Sequence, residues 1–111
     1  EYFLTPSYDL LNTRFHINEK YGDMAIDLLD DYTSTYQAYG YYTCDDFKTF
    51  AKFIGLPEIR FNRIMKFIED SYHQVEDLID KSFLSPKAKE FYKGSYKDRM
   101  KRLRIKQDKK L

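Results

Sequence analysis

Tryptophan is absent from this chain, cysteine occurs once, and glycine and proline number only four and three. A lone Cys44 excludes an internal disulfide and any thiolate cluster for zinc, and it fits a reducing compartment. Four scattered glycines leave no glycine-rich phosphate loop, and no G-x-S-x-G or strand lysine suited to gripping a nucleotide is present. No apolar run approaches the roughly 20 residues a membrane span needs, and no signal-peptide pattern appears. A cytoplasmic fragment without membrane contact is the expectation, and the first residue, Glu1 rather than Met, suggests a piece of a longer protein.

What the chain does have is aromatic mass. Eleven Tyr and nine Phe make 18% of 111 residues. Such side chains build a core from few positions, and tyrosine keeps its hydroxyl wet. The length suits a single domain, 1–111. Net charge is +1, yet it is unevenly spread. Residues 1–31 hold seven carboxylates against Arg14 and Lys20, while 97–111 hold eight basic side chains against Asp98 and Asp108. The chain therefore runs from an acidic head to a basic tail.

Two regions follow from the patterning. In 1–31, Tyr2-Phe3-Leu4 reads as a short strand halted by Thr5-Pro6. Arg14-Phe-His-Ile and Met24-Ala-Ile-Asp-Leu alternate polar with apolar around a turn at Asn18–Asp23, which predicts a β-hairpin. Residues 32–42, with five tyrosines around Gly40, read as a loop against the body; a stacking platform for bases is the other reading, and acidic neighbours argue against it.

The region 43–105 is helical by period. Thr43 to Asp46 forms a capping arrangement ahead of the stripe Phe47, Phe50, Ala51, Ile54, and Gly55 stops that helix. From Pro57 the stripe Phe61, Ile64, Met65, Ile68, Tyr72, Val75, Ile79 predicts one helix of about 24 residues, or about 36 Å. Ser85-Pro86 starts another, with Ala88, Phe91, Tyr92, Tyr96, Met100 and Leu103 on its apolar side. The fold class is thus mainly α: a short N-terminal strand and β-hairpin, then a helical array of about three longer helices.

Several residues carry chemistry, each beside a plainer role. Glu69, His73, Glu76 and Asp80 share a helix face and are metal-capable, but each follows a stripe residue by one position and so falls on the wet margin. Lys97–Lys110 could neutralise phosphates, although Met100, Leu103 and Ile105 indicate that one side is packed. His16 has no spaced partner and reads as structural, and Cys44, near a helix start, lacks any neighbouring base.

The string Leu4-Thr5-Pro6-Ser7-Tyr8-Asp9-Leu10-Leu11-Asn12-Thr13 resembles the start of the C-terminal part of HipA-like serine/threonine kinases, toxins of bacterial toxin–antitoxin systems. Further matches are Arg14-Phe-His-Ile, Asp45-Asp46-Phe47, Val75–Ile79 with Ser82-Phe83-Leu84, and Tyr96–Leu103. The resemblance spans nearly the whole chain and implies a kinase C-lobe-like body. It places Asp9 as the aspartate that ligates Mg²⁺ on ATP, with Tyr8 and Pro6 fixing its approach. It implies as partners the N-terminal remainder of the kinase and a DNA-binding antitoxin. The family's nucleotide-gripping lysine, phosphate-covering loop and catalytic Asp and Asn precede L-T-P-x-Y-D and have no counterpart here, so the isolated chain is expected to be inactive, with an exposed apolar patch. The alternative is a non-catalytic helical interaction or nucleic-acid-binding module using 97–110.

Overall fold

A computed structural model of the chain describes residues 1–8, 12–16, 24 and 26–104. Among them six helices follow in order: α1 (Thr13–His16), α2 (Ser34–Tyr39), α3 (Cys44–Phe53), α4 (Glu58–Asp70), α5 (Tyr72–Lys81) and α6 (Pro86–Arg104). The mainly helical expectation holds. The hairpin does not, because no strand occurs among the described residues. Arg14 and His16 lie in a helical turn, Ile26 and Asp27 in irregular, exposed chain, and the expected turn at 18–23 falls outside the described residues. Alternation over four or five residues is too short to separate a strand from a helical turn, and a strand needs a paired edge that nothing here supplies to 1–8.

A second difference is α2, where a loop was expected. Thr33 Oγ1 accepts from Tyr36 N at 3.1 Å, and Gly40 closes the helix at φ 74° while its N–H returns to Tyr36 O. A Thr cap ahead and a left-handed Gly behind are ordinary helix signals. They are hard to read here because tyrosines stand on every side and leave no apolar stripe.

The start of α3 is the best-specified point in the chain. Asp46 is 1% exposed. Its Oδ2 accepts from Thr43 N at 2.8 Å and from Thr43 Oγ1 at 3.1 Å, and its Oδ1 accepts from Thr33 Oγ1. One carboxylate therefore caps α3 and also fixes the hydroxyl that caps α2. The far end of α3 closes as a Schellman motif: Leu56 N donates to Ala51 O at 2.8 Å and Gly55 N to Lys52 O at 3.1 Å, with Gly55 at φ 74°. Leu56 then folds onto the cluster of Cys44, Ala51 and Phe61, joined by Phe47 and Met65. This cluster is the contact of α3 with α4.

The expected 24-residue helix is two helices. At Ser71 the Oγ donates to Phe67 O at 2.7 Å alongside the backbone N–H at 3.1 Å, a back-bonding that competes with the helical ladder and bends it. The bend lets α4 pack on α3 while α5 packs on α6. Ile79 and Ala88 are buried at that second contact, and the Tyr72 and Tyr96 rings stack at 5.6 Å. The start of α6 is as expected, with Ser85 Oγ accepting from Ala88 N at 3.2 Å.

Replacing Asp46 with Ala leaves buried donors on Thr43 and a half-buried one on Thr33 unpaired. The expected cost is about 2–3 kcal/mol, read as a drop in the urea midpoint with an unchanged slope. A loss under about 0.5 kcal/mol, below the usual range for a lost N-cap, would show that the carboxylate does not join the two caps.

Candidate functional site

Residues 1–8 form no helix or strand, and all eight are exposed. Tyr2 and Leu4 are fully exposed, and none of the described hydrogen bonds reaches them. Asp9, the residue placed as a metal ligand, lies outside the described residues. The helical turn α1, a few positions later, is tied to α6 by Arg14 Nη1, which donates to Asp98 Oδ2 at 3.2 Å. That same oxygen accepts from Arg102 Nη2 at 3.0 Å, and the Arg102 guanidinium lies 4.4 Å from the centre of the Tyr41 ring. Asp98 thus joins α1, α6 and the corner between α2 and α3.

The metal-capable face resolves into separate partnerships. Glu69, at the end of α4, pairs with Arg104 Nε at 3.3 Å. Asp80 on α5 pairs with Lys93 Nζ at 2.6 Å, while its backbone oxygen accepts from Lys89. His73 is largely exposed and 3.8 Å from Glu76. Among the described residues no three His, Cys, Asp or Glu side chains assemble to hold a metal ion. Glu69 and Asp80 each meet a cation on a neighbouring helix, while Glu76 faces His73.

The basic end of α6 is likewise engaged. Arg102 serves Asp98 and Tyr41, and Arg104 serves Glu69, while Lys97 and Lys101 are exposed. Residues 105–111, the rest of the basic tail, lie outside the described residues. Met100 is buried at 4% exposure, so one side of α6 packs as its apolar positions suggested. His16, expected to be structural within a strand, stands exposed on α1.

One concavity was not legible in the sequence. A groove of about 630 Å³ opens between α3, α4 and α6, with Cys44, Phe61, Met65, Met100 and Leu103 on its walls. Its rim carries Asp45, Lys48, Lys66, Glu69, Asp70 and Arg104, so both signs of charge are present. Lys48 pairs outward with Glu58 at 2.9 Å and Lys66 with Asp70 at 2.7 Å. Positions drawn from three helices line it, and no local spacing signals their meeting. No helix among the described residues is long and apolar enough to cross a membrane. Compared with family models, with curated proteins and with solved structures, the chain has no match.

The Asp80–Lys93 pair gives a check on these assignments. The hydrogen bond from Lys93 to Asp80, reinforced by the carboxylate's charge, holds the Lys93 ammonium above the ordinary lysine range, and desolvation opposes this. A folded pKa above the unfolded one means that any contribution is complete below the unfolded value and is lost as pH rises through the folded value. Asp80→Asn is expected to lower the Lys93 midpoint toward the ordinary value in an NMR titration. An unchanged midpoint would detach Lys93 from Asp80.

Proposed function

We propose that this chain is the C-terminal helical portion of a HipA-like serine/threonine kinase, and that Asp9 is a metal-binding carboxylate of that enzyme. The observation that carries the reading is the string Leu4-Thr5-Pro6-Ser7-Tyr8-Asp9-Leu10-Leu11-Asn12-Thr13, followed by a helical body ending in Tyr96–Leu103. Two structural features support it. The apolar segment Tyr2–Leu4 is exposed and outside any helix, as a strand separated from its sheet would be. Large apolar side chains also stand in solvent along the body, among them Phe53, Ile59, Phe67, Leu78 and Phe83. A body that packs against the rest of a kinase has that use for them.

In such a kinase Asp9 would be one residue holding Mg²⁺, and the ion would supply charge neutralisation to ATP during transfer. The described residues do not by themselves fit that group, since no set of metal-capable side chains gathers among them. A single Asp9 carboxylate is one ligand of a site that needs more. The role left to this chain is to hold Asp9 at the end of a strand and to offer a partner-facing surface. A non-catalytic module acting through residues 97–110 has less support, because Arg102 and Arg104 are committed within the body.

The isolated 111-residue chain, given Mg²⁺ and ATP, is expected to show neither hydrolysis nor transfer. In a polypeptide that joins it to a kinase N-terminal portion, Asp9→Asn is expected to lower phosphorylation by at least about a hundredfold. Transfer by the isolated chain, or full activity of the Asp9→Asn enzyme, would overturn the proposal.

A further inference from the structure

The stretch from Tyr21 to Phe47 contains six aspartates and no Lys, Arg or His. Within it residues 26–36 form one surface, while Asp46 is buried and Asp45 lines the groove. Leu28 N donates to the Tyr42 hydroxyl at 3.1 Å, which holds residues 26–31 beside α2. There the Tyr32 and Tyr36 rings stack at 4.6 Å with only 8° between their planes, and Tyr36 meets Tyr42 at 4.6 Å. Tyr32 remains 52% exposed, and Asp27, Asp30 and Asp31 are all exposed around it. Burial, then the Tyr32 and Tyr42 hydroxyls and the Asp27 charge, push the Tyr36 hydroxyl above its ordinary range.

Pairing of the carboxylates is uneven. Glu58, Glu69, Asp70, Asp80 and Asp98 each sit against a Lys or Arg. Among the described residues, Asp27, Asp30 and Asp31 have no cation within ion-pair distance, and Asp77 and Glu90 too have none. The same tyrosine-rich stretch already binds one cation, since the Arg102 guanidinium lies over the Tyr41 ring at 4.4 Å. Stacked tyrosine faces rimmed by unpaired carboxylates are the chemistry that receives guanidinium groups, which are planar, weakly hydrated and always charged.

We propose that the face built from Asp27, Asp30, Asp31, Tyr32 and Tyr36 is a docking surface for an arginine-rich segment of a partner protein. The aspartates attract and orient the segment, and an arginine lies on the outer face of Tyr32 as Arg102 lies on Tyr41. This surface shares no residue with the lining of the groove, and it stands whether or not the kinase reading does.

Calorimetric titration of the full 111-residue chain with a hexaarginine peptide tests it. Neutralising Asp27, Asp30 and Asp31 together to Asn is expected to weaken binding about tenfold, from three exposed pairs. Tyr32→Leu, which leaves the charge unchanged, is expected to weaken it about two- to fivefold. Asp77→Asn with Glu90→Gln, carboxylates elsewhere on the body, is expected to change affinity less than the Tyr32 variant does. Equal losses from the two sets of charge changes, or no loss from Tyr32→Leu, would reduce the binding to general attraction and overturn the proposal. Two further results would also overturn it by naming another occupant. One is a tenfold gain in affinity on deleting residues 105–111, which would assign the face to the chain's own tail. The other is self-association in sedimentation that the Asp27, Asp30 and Asp31 changes abolish, which would assign it to a second copy.

Discussion

A single buried carboxylate organises the first half of this molecule. Asp46 is the third residue of α3, yet its two oxygens reach both its own helix start and the threonine that starts α2. With no cation among these hydrogen-bond partners, the charge is balanced by three donors and by the positive end of α3. Because Thr33 both gives a proton to Asp46 and accepts one from Tyr36 N, the two helix starts share one network. The tyrosine stack of α2, the Leu28–Tyr42 contact and the Arg102–Tyr41 contact are then all placed relative to α3. Removing the network would disturb a surface well beyond α3 itself.

The second half rests on a division of labour made by Ser71. The break at Ser71 separates α4, which packs on α3, from α5, which packs on α6. The bend turns Phe61 and Met65 toward Ala51, and it leaves Ile79 to meet α6. Ile64, expected on the buried stripe, stays in solvent, and so do Phe67 and Leu78 beyond it. Among the described residues the buried apolar set is small: Tyr42, Cys44, Ala51, Phe61, Ile79, Ala88 and Met100. So small a core beside so many exposed apolar side chains is the physical ground for seeing this body as one that packs on something else.

How far the sequence led can be judged element by element. The Thr43–Asp46 cap, the Gly55 stop and the Ser85-Pro86 start are local chemistry within a few residues, and each is where the spacing put it. The hairpin failed because four or five alternating residues carry no information about whether a partner strand exists. α2 was hidden by tyrosines that pack on one another rather than along a stripe, although Thr33 and Gly40 marked both of its ends. The bend at Ser71 depended on a hydroxyl choosing the carbonyl of Phe67, which no period reveals. For function the balance is similar. The L-T-P-x-Y-D string was legible, whereas the 630 Å³ groove and the unpaired aspartates beside stacked tyrosines exist only once helices distant in sequence are assembled.

The kinase proposal turns on what accompanies Asp9, and the most direct measurement is the coding sequence immediately upstream of Glu1. The account predicts an in-frame H-x-D-x-x-x-x-N stretch a short distance before the Tyr2–Leu4 segment, supplying the catalytic aspartate and asparagine that these 111 residues lack. An upstream frame without that stretch would contradict it and leave a helical interaction module in its place.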